Sequence, residues 1–317
     1  MEGHPQMLRP IMLAIVGDSA AGKTTFSGGI VQLLGEERTA VMCTDDYHRY
    51  DRLQRRELDI TPLDVACNYM DIMAQHVRLL AAGEPILKPV YRHSDGTFGP
   101  PEYVVARQFM VVEGLLGLTT RSMRDSYTVT VYLDPPEELR REWKIERDCL
   151  KRGYEREQVI AELDRREPDS AAFIRPQRAL ADIVLRFAPS ESVDDRAHLS
   201  AQLVLRPRIS HRDITELIEK ASADGCSSIN LELGRDEGQP VDLLHVSADI
   251  TPEETTHVES LLWDRMNFDH HLERSAIGSF VEGNRRRHSD TLAIVQLFIA
   301  YHLLYAAAGG RDARRGA

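Results

Sequence analysis

Gly17-Asp18-Ser19-Ala20-Ala21-Gly22-Lys23-Thr24 carries the spacing G-x-x-x-x-G-K-[ST]. Two glycines in that pattern let the backbone curl until several N–H groups point at one anion. An apolar run precedes the loop and a helical pattern follows it, so a helix N-terminus adds partial positive charge at the same point. The expected nucleotide-binding set is Gly17, Ser19, Ala20, Ala21, Gly22, Lys23, Thr24 and Thr25. Lys23 can reach the β- and γ-phosphates, and the Thr24 hydroxyl can hold Mg²⁺. The loop alone does not separate kinase, GTPase and ATPase. No N-K-x-D guanine-reading motif is present, which disfavours GTP and leaves ATP with Mg²⁺ as the expected cofactors.

Phosphoryl transfer needs a carboxylate to orient or deprotonate the acceptor hydroxyl, and another on the metal side. Asp45 and Asp46 close one apolar run, and Glu113 closes another. In open α/β sheets, chemistry collects at the carboxyl ends of parallel strands. Asp45 is therefore expected to be the general base and Glu113 the metal-side carboxylate, next to Thr24. Asp46 reads equally well as a turn or cap residue. His48 and Arg52 follow Asp45 by three and seven residues; on a helix they would share its face.

These groups need a frame. Ile11–Val16, Thr39–Thr44, Phe109–Val112, Ser126–Leu133 and Ala181–Phe187 read as strands, with helical patterns at Thr24–Leu34, Asp64–Ala82 and Pro136–Lys151. That alternation predicts an α/β fold, a doubly wound, mostly parallel sheet of P-loop type. The texture changes near residue 200. Residues 1–199 are expected to form the P-loop kinase domain, and 200–317 a smaller α+β region packed on it and dimerising. In the second region Ser228–Leu233 and Val241–Val246 predict a hairpin, Pro252–Met266 a helix and Asn267–Ser289 a loop. The pair His270-His271 lacks a third ligand at useful spacing and reads as a loop feature.

The formal net charge of −11 argues against a nucleic-acid partner without excluding an anionic small substrate. Four cysteines, none in a C-x-x-C pair, suggest neither zinc nor a disulfide framework. With no signal-peptide pattern at the start, a cytoplasmic protein is expected. Leu292–Gly309 approaches membrane-spanning length but contains Gln296 and His302, so a buried or interface helix is expected and no membrane partner. Lys144, Arg147 and Lys151 fall on one face of the 136–151 pattern, interleaved with Glu142, Glu146 and Asp148. Charge pattern alone makes that an exposed, salt-bridged helix.

Six segments in order resemble the phosphoribulokinase and uridine kinase family. They are the P-loop, TDDYHRYDR (44–52), KPVYRHSDGTFGPPE (88–102), VVEGL (111–115), KIERDCLKRGY (144–154) and REPDSAAFIRPQRALADIV (166–184). The resemblance covers about residues 11–187 and leans toward the plant and cyanobacterial branch. It implies transfer of the ATP γ-phosphoryl to O1 of ribulose 5-phosphate, with a sugar phosphate as small-molecule partner. A nucleoside kinase or a kinase of another sugar phosphate is the alternative. By motif, Asp45 matches the base and Glu113 the acidic residue of the nucleotide site. His48, Arg52, Tyr91 and His93 match sugar-phosphate positions. Lys144, Arg147 and Arg152 match basic residues serving substrate, nucleotide and transition-state charge, which reverses the charge-pattern reading of their helix. Plant-type members pair a P-loop cysteine with one just before the catalytic carboxylate. Cys43 stands at the second position, but Ala20 and Ala21 leave no P-loop thiol, so no redox switch through that pair is expected.

Overall fold

The computed structural model describes residues 9–189, 198–208, 214–266, 277–283 and 285–312. Its strands are β1 (Ile11–Gly17), β2 (Thr39–Cys43), β3 (Ile86–Arg92), β4 (Thr97–Val104), β5 (Phe109–Gly114), β6 (Val129–Leu133), β7 (Ile183–Pro189), β8 (Leu199–Leu205), β9 (Ile229–Asp236), β10 (Gln239–Val246), β11 (Ser279–Glu282) and β12 (Arg285–His288). Its helices are α1 (Lys23–Leu34), α2 (Arg52–Glu57), α3 (Met70–Ala81), α4 (Arg121–Arg124), α5 (Glu137–Arg152), α6 (Arg156–Asp169), α7 (Thr215–Ala223), α8 (Pro252–Met266) and α9 (Asp290–Asp312).

β1, β5 and β6 are buried at every position, as strands covered on both faces must be. They lie in one eight-stranded sheet of order β2-β5-β1-β6-β7-β8-β10-β9. The first five strands are parallel, and the last three join through antiparallel ladders. Alternation along β1 separates two cores. Leu13 and Ile15 face the layer holding α1, α9 and α8, whereas Met12 packs with Met42, Met110, Met73 and Val77 on the α3 side. The expected doubly wound α/β sheet is therefore present.

The sheet runs through residue 200 without a break: β8, β10 and β9 extend the edge begun by β7. The β9–β10 hairpin turns at Glu237-Gly238, both with positive φ, the two-residue turn whose twist suits a hairpin. The long apolar helix α9 is a core helix. Ile294, Val295, Leu297, Phe298 and Ile299 are fully buried against α1, α8 and β8. Its interrupting Gln296 is paired, accepting from Gly278 N at 2.9 Å and donating to Phe26 O at 3.3 Å.

Two local readings change, and a hairpin appears where no element was assigned. The helix expected from Asp64 begins at Met70, because the Asp64 carboxylate accepts from Ala66 N and caps a single turn instead. The segment 86–104 forms the β3–β4 hairpin, whose lysine, prolines and charges hide the strand period. Part of the expected 267–289 loop is the β11–β12 ribbon; His270-His271 lie outside the described residues.

Candidate active site

The loop from Gly17 to Thr24 joins β1 to α1. Gly22, before the first turn of α1, has φ +88, and Ala20 sits at φ +66. Lys23 Nζ donates to Gly17 O at 2.9 Å and Asp18 O at 2.8 Å. Burial pulls its pKa down, while Asp45, Asp18 and Glu113 oppose that shift. Asp18 anchors the loop. Its carboxylate accepts from Ser19 N at 2.6 Å and from the Ser170 hydroxyl, and it lies 3.6 Å from Arg140. Arg140 also donates to Ser19 O at 2.9 Å. The loop is thus tied to α5 and to the turn after α6. Thr25 occupies the first turn of α1 on the exposed side.

Glu113 ends β5 as expected and is 8% exposed. It accepts from Thr24 Oγ1 at 3.3 Å and from Ser27 Oγ at 2.6 Å. The next residue must be glycine. A Cβ on Gly114 would stand 1.9 Å from Thr44 Oγ1, and its φ of +147 is unfavourable to any side chain. The Thr44 hydroxyl accepts from Leu115 N at 3.1 Å, so this close approach joins the Glu113 strand to the Asp45 turn. A hydroxyl beside a carboxylate is the hard-oxygen donor set Mg²⁺ takes. No group of three or more His, Cys, Asp or Glu side chains forms a metal cluster among the described residues. A magnesium ion held by Thr24 and Glu113 would draw its other ligands from phosphate and water.

Asp45, His48 and Arg52 do not share one helix. A 3₁₀ turn ends at Tyr47, His48 bridges to Asn68 in extended geometry, and α2 starts afresh at Arg52. The cause is local: the Asp51 side chain accepts from Gln54 N and caps a new helix. The three side chains nevertheless face one cleft. The adjacent aspartates differ sharply. Asp46 accepts from Lys88 Nζ at 2.6 Å and from Tyr91 N at 2.9 Å, which fastens β3 to the turn. The Asp45 side chain makes no hydrogen bond or ion pair among the described residues and lines the cleft.

β3 supplies the opposite wall. Tyr91 packs edge-on against His48 (4.8 Å between ring centroids) and His93 (5.1 Å). Its hydroxyl accepts from the buried Arg55 at 2.5 Å. Arg52 donates to His93 O at 2.6 Å. Burial lowers the His93 pKa and, more strongly, that of His48, to about 4.

α5 closes the cleft from the other side. Lys144 is 2% exposed, which overturns the exposed-helix reading at that position. Lys144, Arg147 and Arg152 converge on Asp148 at 2.9, 2.9 and 3.3 Å. Burial, then Arg166, lowers the Lys144 pKa to about 8. The three cations outweigh the burial of Asp148 and hold its carboxyl at about 2.

The cleft encloses about 430 Å³. Of the expected residues, Ser19, Asp45, His48, Arg52, Tyr91, His93, Lys144, Arg147 and Arg152 line it. Lys23, Thr24 and Glu113 stand outside that lining, at the phosphate loop. Arg55, Arg56, Arg165, Arg166, Asp148 and Glu162 also line it and were missed. The run R-R at 55–56, its counterpart at 165–166, and the Lys144–Asp148 spacing of four were the available signals. A larger cavity of about 880 Å³ opens beside Asp134–Glu137, with Arg175 and Arg186 on its wall.

A sequence model described as "Phosphoribulokinase / Uridine kinase family" matches residues 12–194. The phosphoribulokinase of Synechocystis is 36% identical over 216 residues, covering 68% of this chain and 64% of that protein. The chloroplastic phosphoribulokinase of Arabidopsis thaliana is 31% identical over 232 residues, covering 67% and 59%. This chain thus matches about three fifths of the length of these relatives. A solved phosphoribulokinase from Rhodobacter spheroides superposes with a TM-score of 0.58 at 18% identity, over 81% of this chain and 97% of that one, which is a likeness of fold.

Proposed function

From the premise that the chain belongs to the phosphoribulokinase/uridine kinase family, we propose that it transfers the γ-phosphoryl of ATP to O1 of ribulose 5-phosphate. The observation that carries this reading is the cleft itself: an unpartnered Asp45 faces a wall of guanidinium groups and Lys144. A neutral nucleoside gives such a wall nothing to bind, whereas a substrate that already bears a phosphate does.

The roles follow from position. The loop N–H groups and Lys23 hold the phosphates of ATP, and the larger cavity beside Asp134–Glu137 has room for its nucleoside end. Thr24 and Glu113 would hold Mg²⁺, which would supply neutralisation of the phosphate charge. Arg52, His48, Tyr91 and His93 seat the sugar phosphate. Asp45 accepts the proton of the O1 hydroxyl as that oxygen attacks the γ-phosphorus. Lys144, Arg147 and Arg152 give the developing negative charge fixed partners in a partly desolvated space. ADP leaves, and ribulose 1,5-bisphosphate is the product. The regions 1–199 and 200–317 act as one folded body, a homodimer in the cytoplasm.

The deciding assay measures ADP release with ribulose 5-phosphate, other pentose phosphates and uridine. Turnover confined to ribulose 5-phosphate is expected. Turnover with uridine and not with ribulose 5-phosphate would overturn the proposal.

A further inference from the structure

His48 presents its two ring nitrogens to different surroundings, and that difference decides which one carries the proton. Nδ1 lies 2.8 Å from Asn68 Oδ1. The Asn68 amide is oriented by its other end: Nδ2 donates to Pro62 O at 3.1 Å and to Asp64 O at 2.8 Å. Carbonyl oxygens only accept, so the amide nitrogen must face them and Oδ1 must face the imidazole. An amide oxygen also only accepts, so Nδ1 carries the hydrogen. In a neutral ring Nε2 is then a bare acceptor.

The ring is neutral because burial dominates its pKa, with Arg55 and His93 acting in the same direction and Asp45 and Asn68 opposing. These groups come from every side of the ring: Asp45 from its own turn, Arg55 from α2, Tyr91 from β3, His93 from the turn after it, Asn68 from behind. Lys144, Arg147 and Arg152 face it across the cleft. Nε2 makes no hydrogen bond among the described residues and is not sealed from solvent, and the residue lines the cleft. Asn68 is 2% exposed and lies outside that lining.

We propose that Asn68 is a positioning residue: it locks His48 in the Nδ1–H tautomer, so that Nε2 accepts a hydrogen bond from a hydroxyl of the bound sugar phosphate. The inference rests on the sugar-phosphate reading of the cleft. A pentose phosphate brings several hydroxyl donors into a space whose guanidinium groups only donate. Of the cleft carboxylates, Asp148 is held by Lys144, Arg147 and Arg152, and Glu162 by Arg165 and Arg166. Asp45 is left for the reacting hydroxyl. His48 Nε2 is an acceptor whose readiness the fold itself sets.

The test begins with the full-length wild-type chain, ¹⁵N-labelled at histidine and assigned by loss of the His48 signals in His48→Gln. Long-range ¹H–¹⁵N spectra should show a protonated Nδ1 and an unprotonated Nε2 from pH 6 to 8. The Nε2 resonance should move when ribulose 5-phosphate is added. Asn68→Asp keeps an acceptor at Nδ1 but favours imidazolium, which loses the Nε2 lone pair. Its KM for ribulose 5-phosphate should rise about tenfold from pH 8 to pH 6, the loss expected for one hydrogen bond. The ATP KM should stay level, and the wild-type KM should change by no more than about twofold, since the substrate phosphate is half titrated near pH 6 and Lys144 near pH 8. A proton on Nε2 in the wild type, or an Asn68→Asp profile parallel to wild type, overturns the proposal. An equal rise in the ATP KM would make Asn68 merely structural and overturns it too. If ribulose 5-phosphate is not turned over, the substrate reading fails visibly while the wild-type spectrum still decides the tautomer.

Discussion

Replacing Lys144 with methionine should leave the protein at least as stable while removing most of its activity. Lys144 is 2% exposed, and its pKa falls from the ordinary 10.5 to about 8, chiefly because burial strips water from the ammonium. A drop of that size corresponds to about 3 kcal/mol of cost for the charged form in the folded state. Methionine has similar length and no charge. Its introduction does not strand Asp148, which keeps Arg147 at 2.9 Å and Arg152 at 3.3 Å. That drop already nets the Asp148 contact against desolvation, and with part of the cost relieved by relaxation around the ammonium a gain of roughly 1–2 kcal/mol at pH 7 is expected. The pH dependence has a definite sign. Below pH 8 lysine is charged in folded and unfolded chains alike, and the cost is fully present. Between about 8 and 10.5 the folded chain loses its proton first, so wild-type stability rises relative to the variant and the difference closes. The same loss of charge should pull kcat/KM down above pH 8 in the wild type. Thermal melts of both proteins from pH 7 to 10, with ADP-release kinetics, check this. Turnover of Lys144→Met should fall about a hundredfold or more. A loss of stability as for a broken buried ion pair, ~3–5 kcal/mol, would refute this, because it would mean the Asp148 contact outweighs desolvation.

Asp45→Asn should lower kcat by about a thousandfold while the ATP affinity read by calorimetry changes little, since the Asp45 side chain makes no hydrogen bond or ion pair with the phosphate loop and acts on Lys23 only through its charge. Gly114→Ala should destabilise the chain by ~3 kcal/mol or more, because its Cβ would meet Thr44 Oγ1 at 1.9 Å in a backbone conformation that side chains avoid; denaturant melts read this directly. Burial and the neighbouring Asp45 and Glu113 push the Cys43 thiol well up, and all four cysteines are free. Diamide treatment should therefore leave activity intact and yield no intramolecular disulfide at Cys43 by non-reducing mass analysis.

How much of this was legible depended on whether a residue's neighbours are near in sequence. The phosphate loop and the strand-ending carboxylates were readable because a strand, a turn and a helix N-terminus define them within a few residues. The sheet was readable from apolar runs such as Ile11–Val16. The separation of Asp45 from Asp46 was not, since it depends on Lys88 and Tyr91, about forty residues away on a hairpin whose pattern hides its strands. Helical spacing placed His48 and Arg52 on Asp45's face for the wrong reason. They converge because Asn68 holds one and the Asp51 cap restarts the chain for the other. The charge pattern of α5 misled for a different reason: its alternation is that of a solvated helix, while packing against α6 covers one face of it.

The net charge of −11 and the cationic cleft are compatible because burial concentrates field where whole-chain charge does not. Lys144, Arg147 and Arg152 repel one another, and Arg166 adds to that repulsion. Asp148 holds them together at a depth where their fields are weakly screened by salt. A phosphate entering this cleft therefore meets donors already gathered, and little reorganisation is left for the moment of transfer. Asp45, whose side chain makes no hydrogen bond or ion pair among the described residues, is the complement to that arrangement. A carboxylate bound to a lysine would be a weaker base, and Asp46 beside it takes Lys88 instead. The fold thus spends one aspartate on holding the β3 wall and leaves its neighbour free to take a proton.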